Sequence, residues 1–278
     1  MRESPDVQGL PLPQPPYQGH FIEGSLGRLY LGCFGRLPAQ RVLLYLPPFA
    51  EEMNLSRAVV SRQAYALANR GWTVVTLDFY GTGDSAGELV EVAVCSWLAD
   101  IDRALCWLKS QGAAEVSLWG LRLGALLAYR YLETRPEAPV QQLVLWEPVL
   151  DPQRMLKQLF RIKQISDSRL QGRAQQTDGL ARTLDGELTV VAGYPISPRL
   201  ARSLVQLSWD NERLFEYCGV MIQITSGFQG VAHPLFSAAN TPTLRLSHCQ
   251  ARPFWQVPEV YDAPELIEMT LNFLGAHA

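Results

Sequence analysis

The segment Glu115 to Ala128, EVSLWGLRLGALLA, constrains this chain more than any other. A short apolar run leads into a turn flanked by Gly120 and Gly124, and a helix rich in small residues follows. Glycine two residues to either side relieves crowding where a strand turns sharply into a helix, so the central side chain projects above the sheet. Strand, turn and helix in this order build a mostly parallel sheet covered by helices, and the rest of the chain keeps the alternation. The pattern predicts strands at Arg28 to Phe34, Val42 to Leu46, Thr73 to Leu77, Val116 to Trp119, Leu143 to Trp146, Val220 to Thr225 and Thr243 to His248. It predicts helices over Leu55 to Asn69 with Gly71 as a left-handed cap, over the segment carrying Trp97, Ile101, Ala104 and Leu108, over Arg122 to Leu132, and over Ala263 to Leu274. A content of 47% hydrophobic and 18% charged residues supplies a full core and excludes a disordered chain.

Residues 1–20 read as an extended lead-in, proline-rich from Leu10 to Pro16. Residues 21–150 and 216–278 are expected to form the core, and residues 151–215 an insertion. From Asp151 to about Asp178 the composition shifts to Gln, Arg and Lys with scattered Leu, Met and Phe, and the alternation stops. Glu187 to Ser197 regains β-like character, and Pro198 opens another helix. Such a block is expected over the carboxyl edge of the sheet, where open α/β folds bind ligands, as a lid or as an ordinary peripheral subdomain.

A formal charge of -3 and a pI near 5.9 give no basic field for phosphate backbones or anionic lipid, so nucleic acid is not an expected partner. Cys33, Cys95, Cys106, Cys218 and Cys249 are odd in number, lack zinc-type spacing, and read as buried thiols in a reducing compartment. The first twenty residues show no secretory h-region, and the uncharged stretch Tyr217 to Leu244 carries Gln223, His233, Pro234 and Asn240, which hydrocarbon would leave unsatisfied. A soluble cytoplasmic protein without a membrane span is the expectation. With no metal-ligand cluster and no Gly-x-x-x-x-Gly-Lys loop, no cofactor is expected.

The flanking glycines of EVSLWGLRLGALLA are those of the Gly-x-Ser-x-Gly nucleophile elbow, but its centre is Arg122. Upstream, Asp78 to Gly87, DFYGTGDSAG, follows an apolar strand and resembles the loop after the fourth strand of α/β-hydrolases. Together the two segments predict an α/β-hydrolase fold, with a generic doubly wound sheet as the alternative. Leu46 to Arg57 (LPPFAEEMNLSR), the DFYGTGDSAG turn and LWGLRLGALLA resemble the exosortase A system-associated hydrolase 2 family. The resemblance is strong from Leu43 to Tyr129 and continues in RPFWQVPEVYDA, Arg252 to Ala263. It implies a hydrolase-like protein in the setting of exosortase, PEP-CTERM and exopolysaccharide genes, with pathway proteins of that setting as candidate partners.

Acyl transfer needs a hydroxyl or thiol at the elbow, a base and oxyanion donors. A guanidinium has no lone pair for attack and stays protonated, so Arg122 can be neither nucleophile nor base. The loop where the superfamily carries its histidine reads Gln250 to Asp262 and offers Pro253, Phe254 and Trp255. His248 at the strand end is a weak catalytic candidate, and so is Ser85 in the turn after Asp78. His233 is weaker, and no acid is evident in Thr225 to Gly230. After Val42 to Leu46, Pro47 and Pro48 offer no N–H groups, and Phe49 and Ala50 lead to Glu51 and Glu52, whose carboxylates would repel an oxyanion.

These changes predict an ion pair between Arg122 and Glu51 or Glu52, with Glu147 placed to join, although each Glu could equally face water at its helix start. The candidate binding set is therefore Arg122, Leu123, Glu51, Glu52, Glu147, Phe49 and Trp255. One reading is a cleft that binds a small-molecule, acyl or lipid- or glycan-linked ligand, with an anionic group held by Arg122. A second is an active ester or thioester hydrolase using Ser85, Ser226 or Cys249. A third is a scaffold anchored by exposed tryptophans.

Overall fold

The computed structural model describes residues 15–171, 178–210, 216–226 and 243–276, with side chains of residues 162–171 and 276 left out. Its eight-stranded sheet runs in the order β1 (Tyr17–Glu23), β2 (Arg28–Phe34), β4 (Thr73–Asp78), β3 (Arg41–Leu46), β5 (Glu115–Leu121), β6 (Val140–Trp146), β9 (Gly219–Thr225), β10 (Leu244–Gln250). β1 pairs antiparallel with β2 and β2 antiparallel with β4, and from β4 to β10 every pairing is parallel. A parallel sheet is buried on both faces, which is why β3 and β5 are nearly continuous apolar runs. Alternate residues feed two layers. Leu44, Leu118 and Leu145 pack with Trp97 and Leu105 of α2 (Val94–Ser110) and Leu126 of α3 (Leu123–Thr134). Tyr45, Trp119 and Trp146 pack with Val60 and Leu67 of α1 (Glu51–Ala68) and Leu266 of α7 (Pro264–Ala276). The fold is the α/β-hydrolase fold.

All seven expected strands are present within a few residues. Other expectations need correction. Residues 17–20 of the expected lead-in belong to β1, an edge strand whose mostly exposed residues hide the alternation that would betray it. α1 begins at Glu51, four residues before the expected Leu55, which brings both glutamates into its first turn. Gly71 takes the left-handed conformation at φ 83, and the Trp72 amide closes the end of α1 on the Leu67 carbonyl at 3.2 Å.

Between β6 and β9 the chain forms α4 (Pro152–Gln171), α5 (Gly179–Asp185), a hairpin of β7 (Thr189–Val191) and β8 (Tyr194–Ile196), and α6 (Pro198–Val205). α4 falls where helical alternation is expected to stop. Met155, Leu156 and Phe160 recur on one buried face, so the period is present beneath a strongly polar composition. Among the described residues no helix is long and apolar enough to cross a membrane. All five cysteines are free, but only Cys33 and Cys249 are buried, while Cys95 and Cys106 are exposed. The seven tryptophans are buried or partly buried, which removes the exposed anchors a tryptophan-based scaffold needs.

Candidate functional site

The site forms at the carboxyl ends of β3, β5 and β6. Arg122 is the residue between β5 and α3, and its backbone sits at φ 55, ψ -116, a strained conformation for a residue with a side chain. Its amide donates to the Trp146 carbonyl at 3.0 Å, and its own carbonyl accepts from Val149 at 3.2 Å, so the turn is tied to the end of β6 and to the loop that follows it. The flanking glycines are required by close approach. A Cβ on Gly120 would lie 2.4 Å from the Ala125 backbone, and one on Gly124 would lie 2.1 Å from the Leu46 carbonyl oxygen. The helix is thereby drawn onto β3 and β5, and residue 122 is driven up out of the sheet.

The projecting side chain is held on two sides. Arg122 Nε donates to Glu52 at 3.3 and 3.4 Å and Nη2 donates to Glu52 Oε1 at 3.3 Å. The two side chains are 13% and 21% exposed, so the pair is largely withdrawn from water. The guanidinium also lies 5.4 Å from the centre of the Trp255 ring, a cation–π contact. Trp255 comes from the loop after β10, where the superfamily resemblance leads one to look for a histidine. Burial pushes the Glu52 carboxyl up, and the pull of Arg122 offsets only part of that.

The other predicted site residues divide. Glu51 does not pair with Arg122: its carboxylate accepts from the Tyr194 hydroxyl at 2.9 Å and the Asn54 amide at 3.2 Å, joining α1 to β8. Glu147, at φ 37, accepts from the Ile224 amide at 2.5 Å, and burial raises its carboxyl. Arg122 reaches Glu147 only through its field, which pulls that carboxyl back down. Phe49 is buried and lines the cleft, whereas the Leu123 side chain is in the core beneath the sheet edge, leaving only its backbone at the turn.

Both weak catalytic candidates are engaged elsewhere. The Ser85 hydroxyl donates to the Asp78 carbonyl at 2.5 Å and accepts from the Tyr30 amide at 2.8 Å, which makes it a turn fastener. His248 is exposed, and its Nε2 shares a hydrogen bond of 2.7 Å with Thr225 on the neighbouring strand. Cys249 is buried, and burial pushes its thiol up to about 11, the wrong direction for a nucleophile. Ser226 is exposed at the end of the described part of its loop. His233, and Gly227 to Gly230 of the acid loop, lie outside the described residues.

Above the Arg122–Glu52 pair is a cavity of about 510 Å³ lined by Phe49, Leu55, Met155, Leu159, Trp255 and the two glutamates, with Gln158 and Gln256 at its polar margin. Sequence reasoning misses the α4 contribution. The signal is the Met155 and Leu159 pair, four residues apart on one helix face. Among the described residues no three His, Cys, Asp or Glu side chains gather as metal ligands. The cavity is apolar along Leu55, Met155 and Leu159 and acidic at Glu51 and Glu52; Arg122 lies behind Glu52 rather than in its lining, and its guanidinium cannot attack a carbonyl.

The family described as serine aminopeptidase, S33, matches residues 49–198, more than half of the chain and the whole elbow region. No curated protein matches by sequence. Solved structures match over nearly their full length at low identity. Est1E from Butyrivibrio proteoclasticus, solved with ferulic acid bound, is 13% identical with a TM-score of 0.64, covering 92% of this chain and 98% of that one. An esterase from Pyrococcus furiosus is 15% identical with a TM-score of 0.60, covering 98% and 96%. An α/β serine hydrolase from Xanthomonas campestris, described as lacking a lid, is 15% identical with a TM-score of 0.56, covering 96% and 98%.

Proposed function

The chain belongs to the serine aminopeptidase S33 family and has the α/β-hydrolase fold, and within that family we propose that it binds an acyl-bearing or glycan ligand in place of Ser/His acyl transfer. One observation carries this reading: the strained apex of the elbow holds Arg122, paired to Glu52 and packed on Trp255. A nucleophile, a base and an oxyanion site are replaced at three points by a cation, an aromatic ring and a carboxylate. These replacements satisfy one another, so they form a stable arrangement of their own. The cavity above is suited to an acyl chain running along Leu55, Met155 and Leu159.

An anionic head would meet Glu51 and Glu52 before Arg122, so it binds only by displacing Glu52 from the guanidinium. Within the family, the resemblance of Leu46 to Arg57, Asp78 to Gly87 and Leu118 to Ala128 to exosortase A system-associated hydrolase 2 proteins supports reading the ligand as one of an exopolysaccharide or lipid-linked setting. Calorimetric titration with decanoate tests the reading. Saturable binding that Arg122→Ala abolishes, with the circular dichroism spectrum unchanged, supports it. Equal binding by both proteins removes Arg122 from ligand recognition. Turnover of p-nitrophenyl decanoate by wild type supports the rival reading of an active hydrolase using a residue outside the elbow.

A further inference from the structure

Helix α1 stands between two cavities. Glu51, Glu52 and Leu55 face the cavity beside the Arg122–Glu52 pair, whereas Met53, Ser56, Arg57 and Val60 face a second cavity of about 260 Å³ on the other side of the helix. The rings of Tyr17, Phe34, Tyr45 and Tyr65 line that second cavity, together with the Asp78 carboxyl. Tyr17 meets Phe34 at 4.8 Å between ring centres and Phe34 meets Tyr65 at 5.0 Å, both edge-on, so three of the rings make a continuous wall.

Two groups in this cavity are incompletely satisfied. Tyr45 is only 4% exposed, and among the described residues its hydroxyl makes no well-formed hydrogen bond, although the Ser56 side chain lies within reach of it. The neighbouring Ser56 hydroxyl donates to the Met53 carbonyl at 3.1 Å. Asp78, its side chain 9% exposed, accepts the Asp84 amide at 2.9 Å. Its one ion pair among the described residues is a long 3.7 Å contact to Arg57, a side chain half in solvent. Burial raises the Asp78 carboxyl and, as the main cause, the phenols of Tyr17 and Tyr45, to which the Asp78 charge adds a smaller push, so the three groups lie within electrostatic reach of one another. A buried carboxylate in an aromatic-lined cavity, held by one backbone amide and a loose arginine, favours a cation. An anion would meet Asp78, and a neutral molecule would leave its charge as poorly matched as before.

We propose that this second cavity binds a small protonated organic amine, whose ammonium donates to Asp78 and to the Tyr45 hydroxyl and whose carbon skeleton lies against Tyr17, Phe34 and Tyr65. The ammonium takes the place of the Arg57 guanidinium, which moves into the solvent that already covers half of it.

Calorimetric titration of the full chain at pH 7 with benzylamine, benzyl alcohol and benzoate tests this, with circular dichroism confirming that each variant is folded. Benzylamine is expected to bind saturably at a single site, at least about tenfold more tightly than the alcohol or the carboxylate. Tyr45→Phe, which keeps the ring, is expected to weaken benzylamine binding about fivefold to tenfold, the loss of one charge-assisted hydrogen bond. Arg57→Gln removes the internal competitor and is expected to strengthen it several-fold. Asp78 itself is left intact because it also fastens the turn at Asp84. Absence of saturable benzylamine binding, tighter binding of benzoate, equal binding of the alcohol, or weaker benzylamine binding in Arg57→Gln would each overturn the proposal.

Discussion

Cutting the Arg122–Glu52 pair from either side is expected to have unequal effects. Removing one partner of a fully buried pair costs about 3 to 5 kcal/mol, because the other charge is left unmatched. Here the contacts of 3.3 to 3.4 Å are longer than good charge-assisted bonds, and 13% and 21% of the side chains remain exposed, which moves the cost toward the lower end. Glu52→Leu strands a guanidinium that cannot lose its proton, and its expected cost is about 3 kcal/mol. Arg122→Leu strands a carboxyl that can neutralise itself. Burial already raises the Glu52 carboxyl, and without Arg122 nothing pulls it back. The expected cost at pH 7 is about 2 kcal/mol.

The sign of the pH effect follows. In Arg122→Leu the folded state holds the Glu52 proton at a higher pH than the unfolded chain does, so that variant gains stability as pH falls from 7 toward the ordinary carboxylate range. All four proteins share the gain that buried Asp100 gives as pH falls, so the comparison is with wild type: Arg122→Leu gains more than wild type, and Glu52→Leu, which lacks the Glu52 carboxyl, gains less. The double variant is expected to fall short of the sum of the singles by about 2 kcal/mol, since neither charge is then unmatched. Urea unfolding of the four proteins at pH 5 and pH 7 measures all of this. Additivity within about 0.5 kcal/mol, or a pH gain in Glu52→Leu as large as that in Arg122→Leu, would refute the reasoning.

Three further outcomes follow from the same structure. Asp100 is fully buried, accepts the Tyr80 amide at 2.9 Å and, among the described residues, has one oxygen without a hydrogen-bond partner. Burial pushes its carboxyl from 3.8 to about 6, against a smaller opposing pull from that amide, so stability is expected to fall by about 3 kcal/mol as pH rises through that interval. Asp100→Asn keeps an acceptor for Tyr80, and thermal melts across pH 4 to 8 should show that part of the slope removed. Gly124→Ala places a methyl carbon 2.1 Å from the Leu46 carbonyl oxygen, and denaturant unfolding should show a loss of at least about 2 kcal/mol despite the better helix propensity. Arg122→Ser restores a hydroxyl at the apex without a base to take its proton, so p-nitrophenyl acetate hydrolysis should stay at the buffer rate.

The sequence makes the sheet readable because parallel strands buried on both faces are near-continuous apolar runs, as at Val42 to Leu46 and Leu143 to Trp146. Gly120 and Gly124 make the elbow readable because their positions have no room for a Cβ. β1 escapes notice because an edge strand with mostly exposed residues carries no burial pattern. α4 is concealed by the Gln, Arg and Lys on its outer face, although Met155 and Leu159 mark its inner one. At the site, charge balance alone points to a partner for Arg122, but not to which glutamate. That choice depends on where α1 begins. Starting at Glu51 puts residue 52 against the guanidinium and turns residue 51 toward Tyr194. The Trp255 contact depends on a loop fold that no local pattern encodes.

The most direct measurement is incubation of the wild-type chain with a fluorophosphonate probe, read by intact-mass spectrometry alongside an ester and thioester turnover screen. With a guanidinium at the apex and Ser85 fastened to Asp78, the mass is expected to stay unchanged and no substrate to turn over above the buffer rate. A stoichiometric adduct on any serine, accompanied by turnover that the adduct abolishes, would contradict a binding role for the elbow.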